Sequence, residues 1–208
     1  SISSNSSTSS SAVRSELKAI VIGGNAGSTE SLRTILEALP TDSPPVIVAN
    51  ATIVPFLETY LGQLSRHVQI RLSIAKQDEF LRSGHVYFAP QDMHLRILSS
   101  GISFKLDLKN EPPVCGQKPS ATALFESASK ALSSGVIAIL LGGFGSDGVE
   151  GLQKIKASGG ITFVESPDKV QFPYAPQKAI ALGLADYILG ASDMTPALAE
   201  QRNRRVVA

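Results

Sequence analysis

Along this chain, short runs of branched apolar residues repeatedly stop at a glycine-rich or polar loop, and helically spaced apolar residues follow. Lys18–Gly23 (KAIVIG) ends at the glycines of GGNAGST, after which Leu32, Ile35, Leu36 and Leu39 fall on one helical face. Pro40 to Pro45 break that pattern, and Val46–Ala49 supplies a second buried strand. The next helix carries Phe56, Leu57, Tyr60, Leu61 and Leu64, with Pro55 suited to its first turn. Val68–Ile74 and His85–Ala89 read as further strands, and MHLRILSSGISFKLDL alternates apolar and polar residues about Ser-Ser-Gly, as a β-hairpin does. Beyond the turn-rich NEPPVCGQKPS, a helix places Leu124, Phe125, Ala128, Ala131 and Leu132 on one face. The last third repeats strand (Val136–Leu141), glycine turn, helix (Val149–Ala157) and strand (Ile161–Val164), with short helices at Tyr174–Leu182 and Pro196–Gln201.

Alternation of this kind predicts an α/β fold: a doubly wound, mostly parallel sheet with helices on both faces and an antiparallel hairpin at one edge. In such sheets the working site lies at the carboxyl ends of the strands. Those ends carry three loops here, Gly23–Thr29, Asn50–Pro55 and Gly142–Gly148.

Composition narrows the function. The chain has 208 residues, 43% of them apolar and 18% charged, enough for one large domain with a sizeable core. A formal net charge of +1 argues against nucleic acid as the main ligand. Cys115 is the only cysteine, and the histidines His67, His85 and His94 are well separated, which leaves neither an intrachain disulfide nor a metal or cofactor site to expect. No apolar run approaches the roughly 20 residues that span a bilayer, and no secretory signal opens the sequence, so a cytoplasmic setting is expected without membrane insertion. The opening SISSNSSTSSSAVRSE lacks an initiator Met and is almost purely Ser, Thr and Asn. We read residues 1–16 as a flexible linker following an upstream domain, and residues 17–208 as the folded domain.

Two glycine loops invite a phosphate reading. GGNAGST lacks the Lys and spacing of a P-loop. Gly143, Gly145 and Gly148 spell GxGxxG after a strand, and Glu165 follows at about the distance of a ribose-binding acid. Asp147, however, lies within that turn, where its carboxylate would face a pyrophosphate of like sign. A role as N-cap of the helix from Gly148 onward suits it better.

Together, the segments IVIGGNAGSTESL, VIVANATIVPFLETYL, GHVYFAPQDMHLRI, KPSATALFESA and ILLGGFGSDGVEGL resemble the catalytic domain of CheB-type chemotaxis methylesterases, in order and spacing, from about Lys18 to Leu189. Such enzymes hydrolyse glutamate methyl esters on chemoreceptor helices, and many deamidate glutamines there. They use a Ser–His–Asp triad, commonly under an upstream receiver domain. The resemblance therefore implies chemoreceptor cytoplasmic helices or other chemosensory proteins as partners, and a receiver domain upstream.

Departures from the family pattern change the expected chemistry. The family's first loop reads Gly-Ala-Ser-Thr-Gly-Gly with Ser as nucleophile; here Gly23, Gly24, Asn25, Ala26, Gly27 and Ser28 put Asn25 at that position. Asn50-Ala51-Thr52-Ile53 puts Ala51 where the family carries its catalytic His. The third loop, Thr-Gly-Met-Gly-x-Asp-Gly in the family, is Gly142-Gly143-Phe144-Gly145-Ser146-Asp147-Gly148, so the resemblance leaves Asp147 as the surviving triad acid. An amide is no nucleophile and an alanine no base, and in a serine protease losing either partner costs about 10⁶ in kcat. The expected cleft is lined by Gly24, Ala26, Thr52, Gly142, Gly143, Phe144 and Gly145, with Phe172 nearby. Ser28 and Thr29 read as caps of the following helix, and Ser146, His85, His94 and Cys115 as poor substitutes for the missing groups. The sequence thus predicts an inactive, binding or regulatory relative. An active esterase or deamidase with relocated residues and a dinucleotide-binding domain stand as alternatives.

Overall fold

The computed structural model describes residues 16–206. The expected linker lies, apart from Glu16, outside the described residues. Among the described residues, seven parallel strands form one sheet in the order Arg71–Ile74, His85–Phe88, Val46–Asn50, Ala19–Gly24, Val136–Leu140, Ile161–Glu165 and Tyr187–Leu189. In chain order the strands are β1 (Ala19–Gly24), β2 (Val46–Asn50), β3 (Arg71–Ile74), β4 (His85–Phe88), the hairpin strands β5 (His94–Ser100) and β6 (Ser103–Lys109), β7 (Val136–Leu140), β8 (Ile161–Glu165) and β9 (Tyr187–Leu189). β1 runs through the middle, pairing Ile22 with Val48 of β2 on one side and with Ile139 of β7 on the other.

Among the described residues six α-helices cover the faces: α1 (Thr29–Glu37), α2 (Leu57–Leu64), α3 (Ala121–Leu132), α4 (Val149–Ala157), α5 (Tyr174–Ala181) and α6 (Ala191–Val206). The period-two alternation of a strand splits β1 between two cores. Ile20 and Ile22 join Leu32, Ile35 and Leu36 of α1, Leu57 and Leu64 of α2, and Met194 and Leu198 of α6. Ala19 and Val21 face Leu124, Phe125 and Ala128 of α3, Leu152 of α4 and Ala179 of α5. Because both faces are buried, the strands are apolar throughout, which is why their sequences read as unbroken runs. Phe125 and Phe163 have no exposed surface; truncating either to Ala would cost about 3–5 kcal/mol.

The hairpin stands at the β3 side, but as a separate sheet. β5 and β6 pair with each other, and Leu95, Ile97 and Leu106 pack into the α3 core. The chain after β3 ties it to the main sheet, with Asp78 N donating to Leu106 O at 3.0 Å and Leu81 N to Phe104 O at 2.9 Å. Several elements differ from expectation, β9 being a strand that the sequence pattern does not announce. β3 begins at Arg71 because the end of α2 runs on into turns at Arg66 and His67. β9, only three residues long, pairs Phe163 with Tyr187. α6 starts well before Pro196 and tolerates the loss of the one intrahelical hydrogen bond that proline, lacking an N–H, cannot donate.

Chain order reverses between β1 and β7, since β1 leads outward to β2 whereas β7 leads outward to β8. Their carboxyl ends open on the loops carrying Asn25 and Phe144, the switch point where this architecture places ligands.

Candidate functional site at the switch point

Asn25 is the hub of the first loop. Its backbone N–H donates to Gly142 O at 3.2 Å, which ties the ends of β1 and β7. Its side chain is held at both ends by one residue: Phe144 N donates to Oδ1 at 2.7 Å, and Nδ2 donates to Phe144 O at 3.2 Å. The backbone roles at Phe144 fix which end of the amide is oxygen. Asn25 is 5% exposed. Gly143 must be glycine to admit it, because an added Cβ would lie 2.2 Å from Asn25 Oδ1.

Behind Asn25, Ser28 links the first two loops. Its Oγ donates to Asn25 O at 2.6 Å and accepts from Asn50 Nδ2 at 2.9 Å, while Asn50 Oδ1 accepts from Thr52 N at 3.0 Å. Ser28 therefore occupies the N-cap position of α1, but its hydroxyl is turned inward and makes no cap bond, contrary to expectation. Ala51, which follows Asn50 in the chain, is half-buried and carries only a methyl group, and Thr52 is exposed. Ala26 is half-buried next to Asn25, and a Cβ on Gly24 would meet Ser28 Oγ at 2.8 Å.

Beneath the third loop lies a carboxylate that the sequence suggested for a ribose. Glu165 accepts from Gly142 N at 2.8 Å and from Ser31 Oγ. It is 1% exposed, and that burial raises its carboxyl pKa above the ordinary value, with the two hydrogen bonds opposing the shift. Gly142, Gly143, Phe144 and Gly148 direct their N–H groups at Glu165, Phe172 O, Asn25 and Thr122 Oγ1 respectively. Three of the six N–H groups of the GxGxxG segment, those of Gly143, Phe144 and Gly148, are thus turned to protein acceptors, which argues against a phosphate cradle there.

Asp147 does not cap its own helix. Its carboxylate reaches across to the start of α3, accepting from Ser120 Oγ at 2.6 Å, Ala121 N at 2.8 Å and Thr122 N at 3.0 Å. The two backbone N–H groups are orphan donors of a helix N-terminus, where an anion is favoured. Ser120 in turn caps α3 by accepting from Ala123 N at 3.2 Å. The N-cap position of α4 falls to Gly148 at φ +91°, a conformation suited to glycine.

His94, His85, Cys115, Ser146 and Thr29 sit in separate local environments. Both ring nitrogens of buried His94 are used: Nε2 donates to Pro112 O at 2.9 Å, and Nδ1 accepts from Ser120 N at 3.2 Å. His85 opens β4, at the amino end of the sheet and away from the site, stacked on Tyr87 at 5.8 Å. Cys115 is exposed at φ +50°, with burial pushing its thiol up and Thr122 as its hydrogen-bonding partner at 3.9 Å. Ser146 accepts from Val149 N through its carbonyl, and Thr29 opens α1.

An aromatic shelf rims the site. Phe144 lies 4.1 Å from Phe172 and 5.5 Å from Tyr174, centroid to centroid. Phe144 and Tyr174 are 47% and 54% exposed, so both rings present apolar surface outward. Ser31 and Asn50 were not singled out from the sequence, since each acts through a partner more than twenty residues away. Among the described residues no group of three or more His, Cys, Asp or Glu is placed to hold a metal ion, and no helix is long and apolar enough to cross a membrane.

Fold and loops define a doubly wound α/β domain with a candidate site at the β1–β7 switch point. The family profile described as CheB methylesterase matches residues 20–198. The protein-glutamate methylesterase/protein-glutamine glutaminase 3 of Burkholderia lata is 35% identical over 178 residues, covering 86% of this chain and 49% of the relative. The corresponding protein 1 of Burkholderia pseudomallei is 33% identical over the same length and coverage. The crystal structure of the Thermotoga maritima CheB methylesterase catalytic domain superposes with a TM-score of 0.85 at 28% identity, covering 88% of this chain and 98% of that one. The chain belongs to the CheB methylesterase family. It spans about half the length of the curated relatives it matches.

Proposed function

We propose that this chain is a non-hydrolytic member of its family, a cytoplasmic binding or regulatory domain in chemosensory signalling whose partner is a chemoreceptor helix or another chemosensory protein. An upstream receiver domain would connect it to phosphorylation signals. The observation that carries the proposal is the Asn25 side chain, locked at both ends onto the Phe144 peptide at the place where a nucleophile would stand. Ester hydrolysis needs a nucleophile, a base to take its proton and return it to the leaving group, and donors aimed at the oxyanion. Asn25 provides no nucleophile and Ala51 no base. The Phe144 N–H, which points at this position, is already occupied by Asn25 Oδ1. Asp147, the remaining acid, spends its carboxylate on the start of α3.

The relatives named as methylesterases and glutaminases keep the alternative of an active enzyme in view. It would need another nucleophile–base pair, and His94, with both ring nitrogens engaged, and His85, at the far end of the sheet, are poorly placed to supply one. The aromatic shelf of Phe144, Phe172 and Tyr174 is what the domain offers a partner instead, since such rings carry large contact area at low entropic cost. Incubating the purified chain with a methylated chemoreceptor fragment tests the reading. Stable binding without methanol release is the expected outcome; release above the uncatalysed background overturns it.

A further inference from the structure

We infer that the Phe144 peptide is a two-point seat for a primary carboxamide, and that Asn25 fills it as a ligand built into the chain. The seat offers one donor, Phe144 N, and one acceptor, Phe144 O, and the Asn25 amide meets both, at 2.7 and 3.2 Å. Only a group with an acceptor oxygen and a donor N–H on one carbon satisfies the pair. An ester or a carboxylate has acceptors alone and leaves the Phe144 carbonyl facing another oxygen. The bare Cα of Gly143 supplies the room, since a side chain there would strike Asn25 Oδ1, Cγ and Nδ2, at 2.2, 2.6 and 2.9 Å. The seat is also fixed from behind: Gly142 is held by Glu165, and Gly143 N donates to Phe172 O at 2.8 Å.

The inference deepens the non-hydrolytic reading and rests on it for its biological meaning. The side chain that competes with Asn25 for this seat is a glutamine or asparagine carboxamide of the partner, in preference to a glutamate or its methyl ester. While Asn25 is in place, the partner is left with the aromatic rim.

Acetamide is the probe. Added to the full chain carrying Asn25→Gly, it raises the melting temperature and shifts the Phe144 N–H resonance, and it does neither to the native chain at the same concentration. Methyl acetate and acetate bind the variant at least about tenfold more weakly, because each sets a second acceptor against Phe144 O where acetamide sets a donor. Equal binding of acetamide and methyl acetate, or none of acetamide, overturns the inference. Should the variant fail to fold, the native chain decides. There the Asn25 side-chain NH₂ protons exchange with solvent at least about tenfold more slowly than those of exposed Asn203, and equal rates contradict the seat. Neither readout depends on ester turnover, so failure here is distinguishable from failure of the proposed function.

Discussion

The hydroxyl of Ser120 donates to the carboxylate of Asp147 at 2.6 Å, joining residues 27 apart and making a loop acid the anchor of α3. With Ala121 N and Thr122 N on the same carboxylate, the interaction holds the start of the helix that packs over β1, β7 and the hairpin. Hydrogen bonds to an ionised group contribute about 1.5–3 kcal/mol, and here removal also strands buried donors. Asp147→Ala is therefore expected to cost about 3 kcal/mol, lowering Tm by about 6–12 °C for a domain of this size. Asp147→Asn, which keeps one acceptor oxygen, is expected to lose roughly half of that. Calorimetry of the two variants measures both effects, and a silent Asp147→Ala contradicts the anchoring role.

Glu165 makes a prediction in pH. Its folded pKa is raised above the ordinary 4.5 by burial, so the folded chain holds this proton more tightly than the unfolded chain. The resulting stability is fully present below about the unfolded value and is lost as pH rises through the folded value. Glu165→Gln keeps an acceptor for Gly142 N and a donor for Ser31 Oγ. It should flatten the decline in stability above pH 4.5 and be at least as stable as the native chain at neutral pH. Urea midpoints between pH 4 and pH 7 provide the check.

Gly143 and Asn25 should be coupled. Gly143→Ala places a methyl group where the Asn25 amide lies and is expected to cost about 1–3 kcal/mol through overpacking. In the Asn25→Gly background the same change meets empty space, and most of that cost should vanish. Additive effects in a double-mutant cycle would mean that Asn25 does not sit against Gly143.

Much of this architecture is legible in the sequence, for a reason specific to parallel sheets. β1 and β7 are buried on both faces, so AIVIGG and VIAIL announce themselves as continuous apolar runs. β9 escapes notice because three residues, Tyr187 to Leu189, carry no periodic signal and are never fully buried. The hairpin is visible in its alternation, yet nothing local reveals that its apolar face belongs to α3. The site divides along the same line. Asn25 and Ala51 stand out as departures from a family pattern, whereas Asp147 anchoring α3 and Glu165 gripping Gly142 are long-range bonds between elements. Capping rules look a few residues ahead, so they place Asp147 at the start of α4 rather than of α3.

The aromatic shelf is predicted to carry partner affinity and little stability. Phe144→Ala and Tyr174→Ala remove rings about half exposed, so each should change folding free energy by under about 1 kcal/mol. Binding of a chemoreceptor fragment should weaken about tenfold or more, as truncation of an aromatic anchor does. Titration calorimetry of each variant against the fragment separates the two effects.

Restoring the chemistry tests the central claim most directly. Methanol release from a methylated chemoreceptor fragment is measured for the native chain and for the double variant Asn25→Ser, Ala51→His. The account predicts a silent native chain and measurable turnover by the double variant, because the scaffold and Asp147 remain while the amide that blocks Phe144 N–H is gone. Turnover by the native chain, at a rate the double variant does not exceed, would contradict it and place the hydrolytic centre on other residues.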